Sequence, residues 1–446
     1  MALKVVILGG GITGLAAAWY VEHFLGNKVS VTLIEKSARL GGWIQTVQDQ
    51  NFLFEKGPRS MRSHTHDGAA VKLIELLGLQ NEVITSSPTA KDRYVWHDDK
   101  LIKAPAGILQ MLTSPLTRDL VGTFLKEWTR KKGNGDDESV HEFISRRYSP
   151  VVAERLINPL VACIYGGDIH QLSIESCFPF LKAWENKYGS IMGGVARQVF
   201  KKKSSSPSSL ISFRHGMETL PKRLAEQLKG EILLKSEAIR LQASKITLSN
   251  GTIIPYDMVI STLPSPVLGK ITSIPEIFLP SASIAVVNMG WDKKVLRHEG
   301  FGCVFPTRAK LPLLGIVWDS SAFPDQNKSP DQTRITLMLG GNHSPVFPSL
   351  SDQTIQSSCL ELISSHLNIS SPPQAIHIGR AFHAIPHYPV GHKENSIQWK
   401  KILKDFFPSL WIAGSPFDGV AVPACLSSAR NIAFDVSEFA KKTTPI

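Results

Sequence analysis

Apolar positions crowd the start of the chain. Lys4 to Leu8 reads as a buried strand, the glycines Gly9, Gly10, Gly11 and Gly14 interrupt it, and apolar residues resume as a helix through about Phe24. A second strand, Val29 to Glu35, alternates β-branched and apolar residues, so the segment reads as one βαβ unit. The run Val5 to Val21 imitates a signal anchor. Its glycines fall where a strand turns into a helix and only Lys4 precedes it, so it reads as folded core. No cleavable leader and no transmembrane span are expected.

Farther on, Ile108, Leu109, Leu112, Leu116, Leu120, Phe124 and Trp128 recur at helical spacing, and Pro115 divides them into one helix or two short ones. Lys131 to Asp136 reads as a solvated loop, and Val140–Tyr148 and Val151–Leu160 as helices. Lys201 to Ser209 has linker composition. Beyond it the pattern turns to strands at Ile246–Leu248, Met258–Thr262, Ile284–Met289, Leu313–Trp318 and Thr333–Leu339, and a last helix is expected over Ala424 to Lys441.

At 446 residues the chain outgrows one core, so two or three lobes are expected. With 43% hydrophobic and 20% charged residues, it is not a disordered chain. The net charge of +11 favours an anionic partner without choosing among nucleic acid, membrane and carboxylate substrate. The five cysteines, Cys163, Cys177, Cys303, Cys359 and Cys425, form no CxxC pair, and the 14 histidines show no cluster at metal-ligand spacing. A reducing compartment and no metal site follow as expectations. His215, His387 and His392 read as loop or packing residues.

Gly9-x-Gly11-x-x-Gly14 follows a strand and opens a helix, the context a dinucleotide turn needs. Glycine lets a pyrophosphate approach the backbone amides of the helix N-terminus, and Glu35 ends the next strand where an acid would bind ribose hydroxyls. The bland alternative is a glycine turn in an unrelated α/β protein. The stretch Arg39-Leu40-Gly41-Gly42 resembles the second signature of amine-oxidase-superfamily flavoproteins, which favours FAD over NAD. Trp411 to Val420 reads as a strand and glycine loop feeding the last helix, whose N-terminal end suits a reduced flavin.

Taken with FEKGPRS, GFGCVFP, LLGIVWDSSAFPDQ, IPHYPVGH and AGSPFDGVAVPAC, these stretches make the chain resemble the protoporphyrinogen oxidase family of FAD enzymes along most of its length. It departs at Pro423-Ala424, where relatives carry Asn-Asp. The resemblance implies an α/β (α+β overall) fold: a Rossmann-like FAD-binding domain from 1–88, 210–262 and 401–446, a helical lobe over 89–209, and an antiparallel-sheet substrate domain over 263–400. It implies non-covalent FAD on Gly9, Gly11, Ile12, Gly14, Glu35, Lys36, Trp43, Gly57, Pro58, Arg59, Ser60, Ile239, Ser415, Val420, Ala421 and Val422. The substrate cavity it implies is bounded by Arg59, Phe301, Val304, Val317 and Met338. Arg59 would offer its fork to a propionate, and Arg93 is a second candidate for that contact.

The implied reaction is oxygen-dependent, six-electron oxidation of a porphyrinogen to a porphyrin in haem biosynthesis, in three flavin cycles that yield peroxide, with no protein nucleophile. Coproporphyrinogen III remains the alternative substrate, and an amine oxidase or a non-catalytic flavoprotein the alternatives of other kinds. Leu109, Met111, Leu112, Leu116 and Leu120, flanked by Lys103, Lys126, Arg130, Lys131 and Lys132, are expected either to cover a core or to dock on an acidic membrane. Expected partners are therefore a porphyrinogen, molecular oxygen and a membrane surface, with no nucleic acid and a homodimer left open. The expected location is the cytoplasm or the cytoplasmic face of a membrane.

Overall fold

The computed structural model describes residues 2–63, 67–201 and 210–443; most of the expected linker lies outside them. Its first layer is a five-stranded parallel sheet in the order Glu231–Leu233, Val29–Ile34, Leu3–Leu8, Met258–Ser261, Leu410–Ile412. Alternation along the central strand feeds two cores. Val5 and Ile7 pack beneath the first helix, Ile12–Leu25, and the terminal helix, Val422–Thr443, while Val6 and Leu8 pack on the other face with Ile246, Leu268 and Leu410. The first helix is buried from Thr13 to Val21 because sheet, terminal helix and Thr219–Gln227 surround it.

The second layer is a seven-stranded sheet in the order Ala375–Pro386, Ser281–Trp291, Thr333–Gly340, Leu313–Val317, Gly302–Val304, Arg93–His97, Lys100–Lys103. Neighbours are antiparallel except where Gly302–Val304 meets Arg93–His97. Ile335, Leu337 and Leu339 face a core shared with the helix Asp352–Leu367. The alternate residues Arg334, Thr336 and Met338 face the opposite way, and Arg334 Nη1 donates to Leu53 O at 2.8 Å in the hairpin Thr46–Asp49/Phe52–Glu55.

Two joins differ from the sequence expectation. The first part of 89–209 is a hairpin that completes the seven-stranded sheet, because Arg93–His97 finds an open edge at Gly302–Val304. Similarly, the helix His392–Phe406 leaves the substrate domain before residue 401 and packs Leu403 beside Leu410 and Ile412. The helical lobe proper runs from Ile108 to Lys201. It is pinned by a buried ion network in which Arg147 pairs with Glu127 and Glu185, and Glu127 also accepts from Ser190 Oγ at 2.5 Å. Leu116 and Leu120, offered from sequence as docking residues, are buried at 0% and 5% exposure, so they cover a core.

Candidate active site

Three glycine-rich segments converge on the N-terminal end of the first helix. Gly9 has φ +102°, and a Cβ on Gly14 would lie 1.9 Å from Gly9 O, so only glycine lets the helix approach the turn this closely. Gly11 caps the helix in extended conformation with no side-chain hydrogen bond, which leaves the first-turn amides open. A Cβ at Gly11 would have only Gly42 Cα within 4 Å, at 3.9 Å, so a side chain there would fill an open cradle. Glu35 stands at the rim: Gly10 N donates to its Oε2 at 2.7 Å and Ser37 N to its Oε1 at 2.8 Å. This donor set fits a dinucleotide, with amides for the pyrophosphate and a carboxylate for ribose.

The second segment lies on the first. Gly41 N donates to Gly10 O at 2.8 Å, and Arg39 Nη1 donates to Leu40 O and Ile44 O at 3.0 and 3.2 Å, clamping the turn. The loop Gly57, Pro58, Arg59, Ser60 then passes beneath Trp43: a Cβ on Gly57 would meet Trp43 O at 1.8 Å. Trp43 itself is half exposed. From the C-terminal side, Gly414 sits against Thr13, and Tyr388 donates to the carbonyl of Ser415. Gly419 (φ +116°), Val420 and Ala421 lead into the terminal helix at Val422, with Pro423 in its first turn where no N–H is needed. Ile12 begins the first helix and Lys36 is exposed just past Glu35. Ile239 lies on Ala238–Gln242, three residues beyond Ser236, whose N–H donates to Glu35 O at 2.9 Å.

The substrate-side residues sit on adjacent strands. Val304 pairs with Gly315, Gly315 with Met338, and Gly302 with Val317, while Phe301 N donates to Asp92 O at 2.8 Å. Phe301, Val304 and Met338 are partly open and Val317 is buried. The Arg93 guanidinium lies 5.5 Å from the Phe301 ring centroid, a cation–π distance, and among the described residues it has no carboxylate partner. Partial burial, followed by the charge of nearby Arg62, lowers its pKa.

Arg59 makes a contact that sequence spacing did not predict. Its Nη1 donates to Asp319 Oδ1 at 3.1 Å, with both side chains nearly buried. Asp319 Oδ2 in turn accepts from Thr336 Oγ1 at 2.6 Å, and Thr336 lies 2.7 Å from Asn288 Oδ1. The relay ties the Gly57–Ser60 loop to the antiparallel sheet and engages Nη1 of the guanidinium. Sequence reasoning missed Asp319 because the carboxylate sits 260 positions away from Arg59, although WDSSAFPD was in view.

Beside the relay, burial pushes the Glu55 carboxyl up to about 8, against the opposing bonds from Met217 N and Thr46. Buried His387 donates through Nε2 to Tyr165 O at 3.0 Å, and His392 stacks on Tyr388 at 4.4 Å, its pKa pushed down to about 4 by burial. Burial raises the pKa of all five thiols, so none offers a ready thiolate. One group lay beyond the reach of sequence spacing: His141, Glu154 and His170 meet in space though not in sequence.

Residues 12–437 match the model of the flavin-containing amine oxidoreductases. The chain belongs to that family. Human protoporphyrinogen oxidase is 32% identical over 98% of both chains, which places it with the protoporphyrinogen oxidases, and coproporphyrinogen III oxidase of Bacillus subtilis is 29% identical over 96% of both. A solved structure from Exiguobacterium sp. 255-15 superposes with a TM-score of 0.87 at 25% identity, covering 98% of this chain and 99% of that one. Cyclohexylamine oxidase of Brevibacterium oxydans, at 15% identity and a TM-score of 0.73, shares the fold, covering 99% of this chain and all of its own. As a member of the family, the chain is an FAD-dependent oxidoreductase of mixed α/β fold. Among the described residues no helix is long and apolar enough to cross a membrane.

Proposed function

We propose that the chain oxidises protoporphyrinogen IX to protoporphyrin IX, removing six electrons in three cycles, with molecular oxygen as acceptor and peroxide as product. The relatives named above support porphyrinogen oxidation as the reaction class. The observation that carries the substrate reading is Arg93 over Phe301: an unpaired cation and an aromatic face at one edge of the sheet. A porphyrinogen combines a broad apolar macrocycle with propionates, and this edge suits both. Arg93 binds a propionate. Phe301, Val304, Val317 and Met338 form an apolar wall that orients the ring and excludes water.

When bound, FAD supplies two-electron acceptance in each cycle. The open amides after Gly11 hold its pyrophosphate, Glu35 its ribose, and the residues from Val420 to Val422 turn a helix N-terminus toward it. The Arg59–Asp319 pair holds the intervening loop in register with the sheet.

Arg62 beside Arg93 favours one second reading, coproporphyrinogen III, whose additional carboxylates ask for additional cations. Turnover of the purified flavoprotein on each porphyrinogen, followed by porphyrin fluorescence and peroxide release, tests the pair. Faster turnover of the protoporphyrinogen supports the first reading, and a reversed preference supports the second. Failure of either porphyrinogen to bleach the flavin anaerobically removes both.

The reading extends to a membrane surface as partner, because the substrate is poorly soluble and the short helices Ile108–Thr113 and Val121–Lys126 expose Leu109, Leu112 and Leu125, with Trp128 just beyond at 58% exposure. Lys103, Lys126, Arg130, Lys131 and Lys132 supply charge for anionic headgroups.

A further inference from the structure

We propose that His141, Glu154 and His170 form a site for a divalent transition ion of the zinc class, independent of the flavin chemistry. The three donor atoms lie within 4.8 Å of one another. His170 Nε2 is 3.0 Å and His141 Nε2 3.8 Å from the same oxygen, Glu154 Oε1. Ligands around a tetrahedral zinc ion, bound at about 2.0–2.2 Å, stand roughly 3.3 Å apart, and these separations bracket that value.

The frame around the donors is built. His141 opens the helix Val140–Arg147, and its N–H donates to Ile169 O at 2.9 Å, directly beside His170. Val140 N donates to Leu172 O at 2.8 Å, so backbone bonds fix one histidine relative to the other. Asp168 Oδ1 accepts from His170 N at 2.9 Å and shapes that turn. Glu154 projects from a π-helical turn, Ala153–Ile157, a backbone form that often marks a functional position. Its second oxygen accepts from the amide of buried Asn158 at 3.2 Å, leaving Oε1 for the histidines.

An ordinary ion pair accounts for His170 with Glu154. It does not account for the second imidazole, whose Nε2 lies between Glu154 Oε1 at 3.8 Å and Ser145 Oγ at 3.4 Å, with the two rings stacked 4.0 Å apart. Two imidazoles and one carboxylate form a ligand set for zinc or copper. Calcium and magnesium prefer oxygen ligands. His170 is exposed, so solvent water completes the coordination.

The test uses tag-free flavoprotein dialysed against a chelator and titrated with zinc in competition with a chromophoric indicator. The expected result is one ion per chain at a Kd on the order of micromolar. His170→Ala and Glu154→Gln should each weaken binding about tenfold or more, with the flavin spectrum and Tm as folding controls. Absence of binding at millimolar zinc, or unchanged affinity in folded His170→Ala protein, overturns the proposal.

Discussion

The two arginines offered from sequence as propionate contacts stand in different surroundings. Arg59 is locked to Asp319 in a nearly buried pair, so Arg59→Ala leaves a carboxylate without its partner. The expected cost is about 3–5 kcal/mol, read as a lower Tm, with Arg59→Ala/Asp319→Asn recovering part of it. Arg93→Ala should leave Tm and FAD content unchanged and raise KM roughly ten- to a hundredfold, the loss of about 1.5–3 kcal/mol from a charge-assisted contact. Steady-state kinetics beside flavin occupancy distinguish the two, and a normal KM in Arg93→Ala removes the propionate assignment. Glu55 gives a pH signature. Its folded pKa is raised from 4.5 to about 8, so between those values the folded chain holds a proton the unfolded chain has released. Stability attributable to Glu55 therefore falls as pH rises through that window and levels off above it. In Glu55→Gln this decline should disappear from denaturation midpoints measured between pH 5 and pH 9.

Among the elements, those with a strict period were legible. The βαβ unit and the terminal helix lie within one or two residues of the positions their apolar spacing predicts, and Pro115 divides its segment into two short helices as a ring without an N–H must. Periodicity could not say which turn of that segment faces inward. Leu112 is half exposed and Leu116 fully buried although they are one turn apart in spacing, because Ser114 and Pro115 break the helix between them. Leu109→Glu/Leu112→Glu should thus release the protein from anionic liposomes with its flavin spectrum intact, whereas Leu116→Glu should lower Tm by burying a carboxylate. Equal sedimentation of the double variant and the unaltered protein would return these helices to a structural role. Gly57→Ala supplies an element-scale control: its Cβ collides with Trp43 O, so flavin content and Tm should fall together.

At the scale of the molecule, the glycine turn at Gly9, Gly11 and Gly14 was legible as a local motif because those three residues lie within six positions of one another. Groups assembled from distant segments were not legible: Asp319 with Arg59, the Arg93 hairpin at the edge of the substrate sheet, and His141 with His170 across a turn of the lobe. Their chemistry depends on which strand edge or helix face meets which, and spacing carries no such information.

The order of the parallel sheet has a consequence in time. Its strands Leu3–Leu8 and Val29–Ile34 wait for Met258–Ser261, and one of the two edge strands, Leu410–Ile412, comes with the helix that covers the first one. During synthesis at about 5–20 residues per second, the glycine turn exists tens of seconds before the segments that close over it. Until then, the apolar faces of Val5, Ile7 and the first helix lack their final cover. If the segment around Ser415 and Val420 contributes to the cofactor site as proposed, FAD uptake reports that the two distant ends have met, and nascent chains halted before Leu410 should emerge colourless.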